Sequence, residues 1–245
     1  MKITKKHKHC IDKQIYFMLF ITYSIIGWIL ETTYVFIGTK KLYNRGFMVG
    51  PYIPIYGVGC LLITILLSRY QDSVFGLFCM SMVICSLLEY FTSYIMEKLF
   101  KTRWWDYSKR RYNINGRICL ETMVPFGLVS LIVIYFLNPF FIDLYETMNP
   151  TGLNILCIAI ATIFIIDFIF SLIVVSGYSK TLKSIKAVNK DATQDINQYI
   201  KDLFTKKSYF SRRLVKAFPN MSVVDKIKKK LQELVEEQKI EKKEP

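Results

Sequence analysis

The sequence is poor in the residues and motifs on which most enzyme mechanisms depend. It has only 2 histidines, His7 and His9, and both lie in a basic N-terminal stretch. The phosphate-binding motif G-x-x-x-x-G-K-[S/T] is absent, as are G-x-S-x-G, H-E-x-x-H and C-x-x-C. These absences argue against an ATPase, a serine hydrolase or a zinc enzyme within this chain. We assign no catalytic residue and expect no cofactor.

Cysteine is present, but its placement does not suggest a disulfide framework or a metal site. Five of the 6 cysteines lie in or beside apolar stretches, where the side chain behaves as a small hydrophobic group. We therefore expect unpaired cysteines in a reducing or membrane setting. The cluster of His7, His9 and Cys10 lacks a fourth ligand at zinc spacing, so no metal ligands are predicted.

Apolar and aromatic residues, in contrast, are abundant. Of the 245 residues, 52% are hydrophobic and 15% aromatic, which excludes an intrinsically disordered chain. Five stretches approach the ~20 residues that cross a bilayer; they are 15–37, 52–68, 74–96, 118–137 and 153–175. The first is too long for a secretory signal and has no small-residue cleavage site after it. The sequence therefore predicts an all-α polytopic membrane protein with about five transmembrane helices.

The charge divides the chain into a membrane part and a basic tail. Residues 1–175 have 16 Lys and Arg against 10 Asp and Glu, whereas residues 176–245 have 17 against 9. We predict a basic N-terminal tail at 1–14, a transmembrane domain at 15–175 and a soluble helical tail at 176–245. Basic residues directly after the last span favour an anionic lipid surface. No nucleic-acid recognition motif is present, so the lipid bilayer is the predicted partner and nucleic acid is not.

The basic residues also predict an orientation. The loops after the first and third spans and the start of the tail have fourteen Lys and Arg, while the N-terminus and the other loops have six. The positive-inside rule then predicts that the long loops and the tail lie in the cytoplasm and that the N-terminus lies outside. Five N-terminal lysines oppose this orientation. An N-inside form, with a half-span at 140–148 or 47–56, is the alternative.

The two halves of the membrane part repeat one order of signals. Each half has an acid in a span, an arginine in the following loop and a proline near the start of the next span. These residues are Glu31, Arg45 and Pro54 in the first half, and Glu89, Arg117 and Pro125 in the second. Since each unit is a span, a basic loop and a second span, we predict parallel repeats related by an axis along the membrane normal.

Acidic residues within the spans are candidates for a functional site. A charged side chain near the bilayer centre costs ~2.5 kcal/mol or more unless it faces protein or water. Glu31, Glu89 and Asp167 lie deepest and form the predicted intramembrane polar site, whereas Glu97 and Glu121 border a basic loop and are predicted salt-bridge partners. Two interpretations stay open. The deep acids either bind a cation, carry protons or pair with Arg45 and Arg117 in a polar cavity, or they hold helices together.

Two loops beside these acids have unusual compositions. Residues 45–59, RGFMVGPYIPIYGVG, contain glycines and prolines that interrupt a regular helix. Interrupted backbone at membrane depth is tolerated where it lines a cavity, which makes Arg45, Pro54 and Tyr56 candidates. Residues 102–121 combine interfacial aromatics with arginines that suit headgroup phosphates. The candidates in this second loop are Trp105, Asp106, Asn115, Arg117 and Glu121.

The motifs GWILE, RGFMVGPYIPIYGVG, LLEYFTSYIMEKLF, RWWDYS and NINGRICLE, with Pro125 following, together resemble a known family. It is the bacterial family of type IV ABC-transporter permeases, the CmpB-like integral membrane proteins, and the resemblance covers about 15–175. The resemblance implies a multispan protein of the bacterial inner membrane, a transport-type subunit of unassigned substrate. Because no phosphate loop is present, any ATPase is a separate subunit. A homo-oligomer is a further expected assembly.

A second functional class is open beside transport. Glu31, Arg45, Asp106 and Arg117 at the interface would suit a membrane-embedded regulatory or lipid-headgroup-modifying protein.

In the tail, apolar stripes predict one helix over about 182–203, a second over 208–218 and a third with Ser222 as its N-cap.

Overall fold

The computed structural model describes residues 5–184, 196–218 and 221–223. The helices are α1 Lys5–Thr39, α2 Pro54–Leu67, α3 Val74–Phe100, α4 Leu120–Ile132, α5 Asn138–Glu146, α6 Pro150–Ser184, α7 Ile196–Thr205 and α8 Tyr209–Ala217. The strands are two residues each: β1 Thr102–Arg103, β2 Asn113–Ile114, β3 Ile118–Cys119 and β4 Ser222–Val223. The predicted all-α membrane class is therefore confirmed.

Within the described residues, four helices are long and apolar enough to cross a membrane. They are Lys13–Thr39, Val74–Phe100, Leu120–Glu146 and Pro150–Gly177. The second predicted span is shorter, because residues 40–53 are not helical and α2 begins only at Pro54. With the 3-10 turn Ser68–Tyr70 that follows it, this helix spans about 25 Å, less than the ~30 Å hydrocarbon core.

The fourth span is longer than the sequence predicts. We expected it to end at residue 137, before Pro139, yet the helix continues through a π-helical turn at Val133–Leu137 into α5. The wider π turn tolerates a residue without an amide hydrogen, and Pro139 occupies the first turn of α5. The predicted loop at 138–152 is therefore wrong: only residues 147–149 separate α5 from α6.

The long helices α1, α3 and α6 run in one direction, and α2 and α4 run in the other. At the start of α2 the Ile53 amide donates to the Ser24 carbonyl at 2.9 Å, whereas Cys60 further along packs with Ile15. The pair α3 and α4 is antiparallel in the same way, with Thr122 beside Glu89. In both pairs the first helix extends well beyond the point where the second begins.

Glycines at corresponding places in the two halves allow the paired helices to approach closely. A Cβ atom at Gly57 would overlap the Phe20 carbonyl and the Ser24 hydroxyl of α1. A Cβ atom at Gly127 would overlap the Phe78 ring of α3. Each short helix thus crosses its long partner at a glycine.

The tail packs against the loop end of the helix bundle. A buried cluster joins residues of α3, β1, α6 and the tail: Phe100, Trp104, Val175, Phe204, Leu214 and Met221. Strand β4 pairs antiparallel with β1, with Thr102 opposite Val223. At the lipid-facing side, most apolar residues of α6 are exposed, such as Ile163 and Ile166.

The tail helices follow the sequence prediction in part. The predicted helix at 208–218 is confirmed as α8, and the Ser208 hydroxyl caps it by accepting from the Phe210 amide at 3.0 Å. Ser222 is not a helix N-cap, because it lies in β4. The helix predicted at about 182–203 corresponds to the end of α6 and most of α7, and residues 185–195 and the third predicted helix beyond 223 lie outside the described residues.

Candidate functional site

Glu89 is the most deeply buried acid of the bundle among the described residues. It projects from the middle of α3 and is only 7% exposed. Its Oε1 accepts a hydrogen bond from the Tyr107 hydroxyl at 3.2 Å, and its Oε2 lies 3.4 Å from the Thr122 hydroxyl. Thr122 is closer to the Cys119 carbonyl, at 2.9 Å. Tyr107 is therefore the principal donor to this carboxylate.

Glu31 occupies the equivalent place in the first half. Its Oε1 accepts from the Tyr56 hydroxyl at 2.7 Å, and its Oε2 lies 3.9 Å from Arg45 Nε. Tyr56 is the third residue of α2, just as Thr122 is the third residue of α4. Pro54, the first residue of α2, sets this register. Both helix N-termini therefore lie beside a carboxylate, where the helix dipole favours negative charge.

The two carboxylates are neighbours, although no hydrogen bond and no shared hydrogen-bond partner joins them among the described residues. Glu31 and Glu89 lie close enough for their charges to interact, and Tyr56 interacts with both. We call Glu31, Tyr56, Glu89, Tyr107 and Thr122 the carboxylate site. Burial and then the charge of Glu89 raise the pKa of Tyr107, so its hydroxyl stays protonated and continues to donate.

The carboxylate site has little positive charge to balance it. Across the described part of the chain, no Lys or Arg nitrogen lies within 4.0 Å of Glu89, and Arg45 approaches only Glu31. On the same two helices, the buried hydroxyls of Thr32 and Ser86 have no hydrogen-bond partner among the described residues. A buried carboxylate without a cation is costly. The arrangement therefore favours a bound proton, cation or water.

A resident transition-metal site is not indicated at this place. Among the described residues, no group of three or more His, Cys, Asp or Glu side chains could hold a metal ion. The available ligands are carboxylate and hydroxyl oxygens, which suit protons and hard cations.

Asp167 has a different environment from the other two deep acids. Its Oδ1 accepts from the Val49 amide and the Ser171 hydroxyl, each at 3.0 Å. Its Oδ2 accepts from the Gly50 amide and the Tyr52 hydroxyl, each at 2.7 Å. Asp167 shares no hydrogen-bond partner with Glu31 or Glu89. It joins α6 to the non-helical segment that precedes α2.

Arg117 is buried in the second loop and pairs with Glu97 rather than with Glu89. Its Nη1 lies 3.0 Å from Glu97 Oε2 and 3.2 Å from the Ser93 hydroxyl. The guanidinium also lies over the rings of Tyr90 and Tyr94, at 5.7 and 5.4 Å from their centroids. The predicted salt bridge of Glu97 is thus present in the structure.

The other candidates of the second loop shape its backbone. Trp105 Nε1 donates to the Arg117 carbonyl at 3.2 Å, and Asn115, at φ 53°, donates to the Tyr90 hydroxyl at 3.0 Å. Partial burial opposes ionisation of Asp106, but hydrogen bonds from Ser108 and the charge of Arg103 outweigh it and hold the pKa of Asp106 below its usual value. These contacts place Tyr107 at Glu89.

Glu121 stays at the surface of the second loop. Its carboxylate meets Arg110 at 2.8 Å, and both side chains are more than half exposed. The salt bridge that the sequence predicts for Glu121 is therefore present, outside the carboxylate site.

Sequence reasoning missed two members of the carboxylate site. Tyr107 stands among interfacial aromatics and has no pattern that points to Glu89. Thr122 was missed because the repeat pairs Pro54 with Pro125 and so aligns Tyr56 with Gly127, whereas in the structure Tyr56 and Thr122 are each the third residue of their helix.

One family model matches the chain. Its description is "Putative ABC-transporter type IV", and it covers residues 18–172, which include the carboxylate site, Arg45, Arg117 and Asp167. No curated protein and no solved structure matches the chain significantly. The matched region contains most of the four membrane-length helices. The chain therefore belongs to this family and is a membrane protein of the ABC-transporter type.

Proposed function

We propose that the protein is the membrane-embedded subunit of a transporter and that the carboxylate site is the polar centre of its pathway. The observation that supports this most is the environment of Glu89. It is a buried carboxylate inside a helix bundle, it has hydroxyl donors only, and a second carboxylate lies within electrostatic reach. Acids in this situation are commonly found on ion and proton pathways.

The chemistry of the site favours a cation or a proton as the species that moves. Oxygen ligands from two carboxylates and three hydroxyls attract hard cations, and no fixed cation neutralises Glu89 among the described residues. Binding a cation or a proton would remove the cost of the buried charge. Release of the cation or proton would restore the cost of the buried charge. Such a site can load and unload as the helices around it move.

We further propose that Asp167 supports this site as a positioning residue. Three of its four hydrogen bonds hold residues 49–52 against α6, directly before α2 begins, and the fourth comes from Ser171 of α6 itself. The same segment leads to Tyr56, the partner of Glu31. Asp167 would therefore influence the carboxylate site through the backbone.

A separate ATP-binding subunit and an inner-membrane location belong to the same proposal. The chain has no phosphate loop, so ATP hydrolysis would need another protein. The loop at 40–53, the loop at 101–119 and the described tail residues 196–218 lie at one end of the bundle, which also has most of the basic residues of the described part of the chain. The positive-inside rule favours the cytoplasm for that end.

The lipid-headgroup alternative has less support from the geometry. Asp106 is held by Ser108 and Arg103, and Arg117 is paired with Glu97, while Glu31 and Arg45 lie at the carboxylate site. These side chains have no common partner at which a headgroup reaction would occur.

The test compares Glu89→Gln with Glu121→Gln as a matched surface control. Purified protein in liposomes is assayed for proton flux with an internal pH dye and for alkali-cation flux with radioactive rubidium. We expect Glu89→Gln to reduce flux to about a tenth or less, because the neutral amide cannot exchange charge. Glu121→Gln should retain flux. Wild-type flux that persists in Glu89→Gln would refute the assigned role.

Partners are tested by affinity purification from crosslinked native membranes. A near-stoichiometric subunit with a phosphate loop would support the ATP-driven form of the proposal. Recovery of this chain alone, as a homo-oligomer or a monomer, would contradict it.

A further inference from the structure

The tail has contacts with the bundle that lead directly to the carboxylate site. Helix α8 and Phe218, which we call the clasp, pack on the loop end of the bundle. Leu214 is buried in the shared cluster, and the Phe218 ring meets the Trp104 ring edge to face at 5.0 Å between centroids. Strand β4 then pairs with β1. The clasp is therefore part of the folded core at this end.

The clasp binds the backbone of the loop that holds Arg45. Arg213 donates from its Nη1 to the Gly46 carbonyl and from its Nη2 to the Phe47 carbonyl, each at 3.0 Å. In the opposite direction, Arg45 donates to the Ala217 carbonyl at the end of α8. Two arginines thus bind each other's backbone segments. Hydrogen bonds from charged donors are among the stronger polar contacts.

Arg45 has a second neighbour on its other side. Its Nε lies 3.9 Å from the Glu31 carboxylate, and among the described residues it is the only Lys or Arg paired with Glu31. The Glu31 and Arg45 side chains are 32% and 24% exposed, so this ion pair is partly shielded from solvent. The position of Arg45 therefore depends on the clasp and affects the carboxylate site.

The loop is held at two separate places. Asp167 of the bundle binds the amides of Val49 and Gly50, whereas the clasp binds residues 45–47. Removal of the clasp would free the part of the loop with Arg45. The part next to α2 would stay attached to α6.

We propose that the C-terminal tail regulates the carboxylate site through Arg45. In the docked state, the clasp holds Arg45 against Glu31 and closes this end of the site. In the undocked state, Arg45 leaves and Glu31 becomes accessible to water and ions. The docking of the tail is a contact in the structure and does not depend on the transport role. Only the effect of docking on transport rests on the proposed function.

The test uses the full-length protein in lipid nanodiscs and measures two quantities. Hydrogen–deuterium exchange of α8 reports docking, and carboxyl footprinting with a water-soluble carbodiimide and glycine ethyl ester reports access to Glu31. Exposed Glu121 serves as the internal reference for labelling. The variants are Arg213→Gln, which removes the two guanidinium hydrogen bonds to the loop, and Phe218→Ala, which removes the ring contact with Trp104. Arg212→Gln, an exposed neighbour on α8, is the matched control.

We expect Arg213→Gln and Phe218→Ala to raise exchange of α8 about tenfold, since charged hydrogen bonds or a ring contact are lost. Labelling of Glu31 relative to Glu121 should rise by up to about threefold, the limit set by its present 32% exposure. Arg212→Gln should change neither quantity. Faster exchange without extra labelling of Glu31 would overturn the proposal, and so would unchanged exchange in both variants.

The result is independent of the flux experiment. If Glu89→Gln leaves flux intact, the transport role fails while increased labelling of Glu31 still demonstrates the clasp. If flux depends on Glu89 but labelling does not respond to Arg213, the transport role stands and the clasp fails.

Discussion

The hydrogen bonds of Asp167 lead to a quantitative prediction for Asp167→Asn. An amide has the shape of the carboxylate but only one acceptor oxygen, so it can satisfy either the Val49 and Ser171 donors or the Gly50 and Tyr52 donors. One backbone amide, that of Val49 or Gly50, loses its acceptor, while the hydroxyl beside it can turn and accept from the new NH2 group. The hydrogen bonds that stay lose their charged acceptor, and since a hydrogen bond to a charged group is worth about 1.5–3 kcal/mol against about 1 for a neutral one, the combined loss is roughly 3–6 kcal/mol. Because Asp167 is only partly buried, hydrogen bonds to water replace some of the lost free energy. We therefore take the lower end of the range, about 3 kcal/mol in total.

The assay is hydrogen–deuterium exchange of the peptide that contains residues 45–53, in full-length protein in nanodiscs. A loss of about 3 kcal/mol from local opening should accelerate exchange of the Val49 and Gly50 amides about a hundredfold. Asp143→Asn is the matched control, because Asp143 is an exposed acid on α5. If exchange of this peptide is unchanged in folded Asp167→Asn protein, the positioning role of Asp167 is refuted.

Two further predictions concern stability in detergent. Gly57→Ala should lower the free energy of unfolding by about 1–3 kcal/mol, because its methyl group overlaps α1, whereas Gly38→Ala, with nothing within 4 Å, should not destabilise; equal melting temperatures for the two variants would contradict the close approach. Arg117→Gln should lower the free energy of unfolding by about 3 kcal/mol, which is the low end for breaking a buried pair, because Glu97 keeps its second partner Arg103. Arg110→Gln, which breaks the exposed pair with Glu121, should cost under about 1 kcal/mol. If Arg117→Gln and Arg110→Gln lose the same free energy of unfolding, the salt bridge between Arg117 and Glu97 does not behave as a buried pair.

The extent of the membrane helices was largely predictable from the sequence. The first, third and fifth predicted spans lie within α1, α3 and α6 as local hydropathy indicates. The errors occur at proline. Pro139 suggests an end to the fourth span, but a π turn lets the helix continue, and this depends on packing that hydropathy does not describe.

The carboxylate site was predictable only in part. Glu31 and Glu89 stood out because an acid in an apolar span is costly wherever it occurs. The grouping of Asp167 with them could not be tested from the sequence, since its donors lie on a loop more than 100 residues away. Tyr107 was missed for the same reason: its hydroxyl reaches Glu89 only because the second loop folds back over α3.

By itself, the sequence determined the membrane class, the approximate spans, the basic end of the molecule and the two acids that most need a partner. These properties follow from the transfer energy of each side chain between water and lipid, which sums over neighbouring residues. Only the tertiary structure decided which donors meet each acid, that Asp167 holds a loop, and that the tail reaches Arg45. Such contacts join segments distant in the chain, so they depend on how the helices pack rather than on local composition.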